Sequence, residues 1–144
     1  KDAAGNDATI THSSVAANTS YKVDTTAPTA SIISCVPSIC EEIDPAINSH
    51  LAVVRSTETG TAYMVKTGGA GADITVTNLA SITGAADNVQ NEVTISSANN
   101  NTNLLVTGLV QGTYRVYAVD AAGNLSNATS SGGWSNQGKL KVKD

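Results

Sequence analysis

Gly112-Thr113-Tyr114-Arg115-Val116-Tyr117-Ala118-Val119-Asp120-Ala121-Ala122-Gly123-Asn124 decides how this chain is read. Residues 113–120 mix β-branched and aromatic side chains, which lose rotamer freedom in a helix but suit the pleated surface of a sheet. They form the clearest strand in the sequence. Asp120 to Asn124 closes it with residues that bond their own backbone or accept positive φ. The same five residues stand 118 positions earlier as Asp2-Ala3-Ala4-Gly5-Asn6. The first copy runs on to Tyr21-Lys22-Val23-Asp24, and the second to Leu140-Lys141-Val142-Lys143-Asp144, one residue longer. A motif recurring at this interval reads as one period of a tandem array plus the tail of a neighbouring unit. Residues 1–24 are therefore expected to be terminal strands of a preceding repeat or a donor-type strand. Residues 25–144 are expected to be one domain.

Composition agrees with strands throughout. Val and Ile total 23 against seven Leu and no Phe, so β-branched residues dominate the apolar set. Thirteen Asn and twelve Gly supply turn-formers at the density an all-β chain needs. Further strands are expected over 29–36, 50–56, 61–67, 73–77, 92–96, 103–107 and 139–143. The turn 57–60 reads as a hairpin with Gly60 at its tip, and the Asn-rich turn 98–101 tolerates left-handed backbone. Asp44-Pro45 offers an N-cap followed by Pro, so a short helical turn is expected at 44–49. Residues 80–91 fit neither period. Short strands at regular spacing, with no long helical pattern, predict an antiparallel β-sandwich.

The formal net charge is −4, and the eight Lys and Arg are spread along the chain. No basic patch gathers phosphates, so nucleic acid is not an expected partner. No apolar run reaches the ~20 residues that span a bilayer, and membrane insertion is not expected. Cys35 and Cys40 are the only cysteines. Cys-x4-Cys with no nearby His is a poor zinc site. The expectation is a disulfide closing the Val36-Pro37-Ser38-Ile39 loop, which implies an oxidising compartment; the alternative is two buried thiols.

Leu104-Leu105-Val106-Thr107-Gly108-Leu109-Val110-Gln111-Gly112-Thr113-Tyr114, continuing through Arg115-Val116-Tyr117-Ala118-Val119-Asp120 to Ser126, resembles the end of a fibronectin type III or bacterial immunoglobulin-like domain. Tyr114 falls near the corner position, where its hydroxyl would bond a loop backbone; the plain alternative is a partly buried strand Tyr. Val23-Asp24-Thr25-Thr26-Ala27-Pro28-Thr29 is similar to the joint between immunoglobulin-like repeats of large bacterial surface adhesins. The resemblance implies calcium at the joints, held by acidic residues of the linker and adjacent loops. The matching positions are Asp24, Asp120 and Asn124, with Asp2 and Asn6 in the upstream copy; Glu58 sits in a turn that could approach the same pole. Calcium takes six to eight oxygen ligands, which these residue types supply. The plain alternative is that Asp120 and Asn124 merely cap a turn.

Trp134, in a Gly/Ser loop, is either a lid on the domain or a stacking platform for a sugar or partner. His12 and His50 stand in no catalytic motif, and catalysis is not expected. The sequence thus predicts a non-catalytic module of a secreted or cell-surface protein, extending a stalk or binding at the cell surface. Its partners would be neighbouring repeats or subunits, or a host or cell-surface glycan or protein. Alternatives are a filament or pilus subunit that exchanges residues 1–24 as a strand, and a carbohydrate-binding module on a secreted enzyme.

Overall fold

The computed structural model describes residues 23–41, 43–130 and 138–143. Among them seven strands form: β1 (Ala30–Val36), β2 (Leu51–Ser56), β3 (Gly60–Gly68), β4 (Gln90–Ile95), β5 (Thr102–Leu105), β6 (Gly112–Asp120) and β7 (Leu140–Val142). One helix, α1 (Leu79–Thr83), and a 3-10 turn at Asp87–Val89 fill the stretch whose period was unreadable. The strands make two antiparallel sheets, ordered β1-β2-β5 and β4-β3-β6-β7. Their facing side chains share one core. Ile32, Ala52, Val54 and Leu104 come from the first sheet, and Met64, Tyr114, Val116 and Leu140 from the second. The described residues are mostly β, in two antiparallel sheets, as the composition implies.

One expected local pairing is absent. The turn 57–60 does not make a hairpin, because β2 pairs with β1 and β5 whereas β3 pairs with β4 and β6. The turn 98–101 also joins strands of different sheets, and Asn99, at φ 61, adopts the left-handed backbone expected of this turn. Turn chemistry marks where a chain reverses, and says nothing of whether the two arms hydrogen-bond or pass between sheets. The 44–49 segment is a pair of turns rather than a helix, closed by Ile47 N–H to the Asp44 carbonyl and His50 N–H to the Ile47 carbonyl. Asp44 bonds locally in both directions, its carboxylate accepting from Ala46 N–H and its own N–H donating to His50 Nδ1.

Residues 73–77 alternate like a strand but form none. Ile74 N–H bonds the Lys66 carbonyl, and the chain then crosses the outer face of the second sheet. There Ile74, Val76, Leu79, Ile82, Leu125 and Ala128 cover Tyr63, Val65, Tyr117 and Val119. The alternation reflects contact with that face. α1 is held at its start by a reciprocal cap: Ser81 N–H donates to Asn78 Oδ1, and Ser81 Oγ accepts from Asn78 N–H. This second apolar layer explains why the middle of β3 and the end of β6 are buried on both faces.

Register fixes the two ends of the molecule. Ala30↔Ser56 and Gly60↔Asp120 lie at one pole, and Val36↔Leu51 and Gly112↔Val142 at the other. The polypeptide arrives through residues 24–29 at the first, here called the linker pole. β7 runs away from it and ends at the opposite pole.

Candidate cation site at the linker pole

Three elements bring carboxylates together at the linker pole. Asp24 lies in the extended segment before β1, Glu58 in the turn between β2 and β3, and Asp120 at the end of β6. One carboxylate oxygen from each lies within 4.8 Å of the others. These are three of the four acidic positions picked out in the sequence, the fourth, Asp2, lying outside the described residues, and the fold joins them across 96 residues of chain, from 24 to 120.

Asn124 organises the group. Its N–H donates to Asp120 Oδ1 at 2.9 Å, and its side-chain Nδ2 donates to Asp120 Oδ2 at 2.8 Å. The same Nδ2 donates to the Asp24 carbonyl at 3.1 Å, tying the linker to the β6 turn. Gly123, at φ 91, supplies the positive φ that lets this turn close. Asn124 therefore serves here as a donor that orients the Asp120 carboxylate and holds the Asp24 backbone beside it; its own oxygen would face a cation only with the amide turned over. Asp24 Oδ1 also accepts from Thr26 N–H at 2.9 Å, which fixes the linker side chain.

Asp120 is only 7% exposed. Its burial opposes ionisation, but hydrogen bonds from the Asn124 side chain and from the amides of Asn124, Ala122 and Gly123 outweigh it. The carboxyl is held below the usual carboxylate range. Asp120 thus presents an ionised carboxylate, and the three acidic groups together offer oxygen ligands suited to a hard divalent cation such as calcium and unsuited to a thiophilic metal. Close carboxylates repel one another, and a cation between them would relieve that repulsion.

The structure contains features that no local motif announced. Lys66 is fully buried on the core side of β3, and its ammonium donates to Asp73 Oδ1 at 2.7 Å and to the Ala72 carbonyl at 3.3 Å. This pair stands at a cavity of about 580 Å³ whose walls are mostly small apolar residues, among them Ala70, Ala85, Ala86 and Val110. Ser126 and Thr129 complete the edge of β6 with their side chains: Ser126 Oγ accepts from Ala118 N–H, and Thr129 Oγ1 from Val116 N–H. Hydroxyls thereby replace part of a backbone ladder, a substitution visible only once the strand's neighbours are known.

Cys35 and Cys40 are joined in a disulfide, and both are buried. Tyr114 Oη donates to the Val110 carbonyl at 2.7 Å, the corner bond anticipated for it. Trp134, like residues 1–22, lies outside the described residues. No helix among the described residues is long and apolar enough to cross a membrane. Comparison of the chain with protein-family models, with curated proteins and with solved structures finds no match.

Proposed function

We propose that this chain carries an immunoglobulin-like, fibronectin type III-like unit of an extracellular repeat protein, acting as a non-catalytic spacer that extends a stalk. The observation that carries this reading is the placement of the ends. The linker arrives at one pole and β7 leaves at the other, so joined units lengthen a chain instead of folding back on it. Support comes also from the strand order β1-β2-β5 facing β4-β3-β6-β7, from the Tyr114 corner bond, and from a disulfide compatible with an oxidising compartment. Small-angle scattering on this unit joined to its own neighbouring unit tests the reading. A maximum dimension near the sum of two long axes is expected, and a folded-back pair refutes it.

Within that reading, Asp24, Glu58 and Asp120 hold calcium and stiffen the joint, with Asn124 orienting the Asp120 carboxylate and tethering the Asp24 backbone. A bound ion would link residue 24, at the start of the joint, to two elements of the domain. Extracellular modules bind calcium with Kd of roughly 10⁻⁴–10⁻³ M. At about 10 mM calcium such affinity adds roughly 1.4–2.7 kcal/mol of stability. The melting temperature should rise by several degrees in calcium over EDTA, and Glu58→Gln should abolish the rise. Glu58 suits the test because its N–H bonds Ser56 Oγ, so its backbone turn survives the change. No shift at that concentration removes calcium from the proposal.

A further inference from the structure

After Val36 the chain leaves the three-stranded sheet, and Cys40 and Ile43 reappear beside β7 in the other sheet. Lys141 N–H donates to the Cys40 carbonyl at 2.8 Å, Ile43 N–H to the Lys141 carbonyl at 3.1 Å, and Lys143 N–H to the Ile43 carbonyl at 3.0 Å. Ile43 and Val142 form a parallel bridge, and Ile43 is fully buried. β7 pairs with β6 along its other side. Stripped of Cys40 and Ile43, β7 would present a row of unsatisfied N–H and C=O groups, a template for a foreign strand.

The disulfide spans the point where the chain changes sheets. Cys35 is still in register with Ala52 of β2, whereas Cys40 already accepts from β7. One covalent bond thus fastens the segment that guards β7 to the sheet it came from. The connecting residues are solvent-facing, with Ile39 56% exposed, so they can swing without breaking core contacts of their own.

The geometry points to the Cys35–Cys40 bond as a clasp that keeps the β7 edge closed against the same segment of a second copy of this chain. When a phosphine reductant opens the bond, one S–S bond breaks, two thiols form, and the phosphine takes oxygen from water. Releasing a ring of six residues, 35 to 40, favours the open segment by roughly 40-fold on chain-entropy grounds. The guarding segment of one molecule then exchanges with that of another, a reciprocal swap of identical elements.

Hydrogen–deuterium exchange and sedimentation on the whole chain, oxidised and phosphine-reduced, test this, with intact mass verifying the two added hydrogens. At low micromolar concentration the amides of Lys141 and Lys143 should exchange at least ten-fold faster after reduction, while those of β3 and β6 stay protected. At higher concentration a dimer should appear. The double variant Cys35→Ser, Cys40→Ser should reproduce both effects without reductant. Unchanged exchange at Lys141 and Lys143 overturns the clasp. Faster exchange throughout β3 and β6 makes the bond a global staple and overturns it too. Local release with a monomer up to millimolar concentration overturns the swap.

Discussion

Removing the exposed partner of the Lys66–Asp73 pair should harm the fold more than removing the buried one. The Lys66 side chain is 1% exposed and that of Asp73 40%. Asp73→Ala leaves an ammonium inside the protein with only the Ala72 carbonyl as acceptor. Breaking a buried pair in this way costs about 3–5 kcal/mol. Asp73 opens to solvent, so water can reach part of the charge, and the lower end, about 3 kcal/mol, is expected. For a domain of this size that is a fall in melting temperature of about 10 °C. Lys66→Met keeps an unbranched stem of similar length in the core and leaves Asp73 hydrated at the surface. Its cost should stay below about 1 kcal/mol, since an apolar replacement of a buried charge is often neutral or better. Guanidinium unfolding of both variants and of the double variant measures this, and the double variant should resemble Lys66→Met. The reasoning fails if Asp73→Ala costs less than 1 kcal/mol, or if Lys66→Met is the more damaging change.

Burial pushes the Tyr114 hydroxyl up to about 12, against the lowering effect of its bond to Val110. The stability tied to the neutral phenol is complete below the unfolded value near 10 and is lost as pH rises through 10 to 12, so Tyr114→Phe should flatten that alkaline limb in pH-dependent unfolding. Ile82→Ala should cost about 2–3 kcal/mol in denaturant unfolding, because Ile82 is fully buried in the outer layer; a cost below 0.5 kcal/mol would mean that the layer contributes no packing. Gly60 sits at φ +148 with an added Cβ only 1.9 Å from the Val119 carbonyl oxygen, whereas Gly71, at φ +88, has open space. Gly60→Ala should therefore lower stability by several kcal/mol, and Gly71→Ala only by about 1–2 kcal/mol of backbone strain; equal melting temperatures for the two would refute the contrast.

The strand β6 is legible in the residues alone, because β-branched and aromatic density is a local property that needs no partner to act. The two cysteines of the disulfide are legible because the chain has no others, and Asp-x-x-Gly-Asn marks the turn that carries Asp120 and Asn124, whereas Asp24 and Glu58 are named only through the resemblance and their place in linker and turn. What the sequence left undecided is which strands pair. The turns 57–60 and 98–101 carry the same residues whether their arms bond to one another or cross between sheets, and only the shared core of Ile32, Val54, Met64 and Val116 selects the crossing. The apparent strand at 73–77 yielded for a related reason: its alternating side chains pack on the outer face of β3 and β6, so period two recorded a contact and no ladder. Lys66 sits at an inward position that its charge argues against, and it is tolerated because Asp73 lies where the chain leaves β3. Local chemistry acts over a few residues and is written in them; pairing, burial and the meeting of Asp24, Glu58 and Asp120 are set by free energy summed over the whole core, which no single stretch contains.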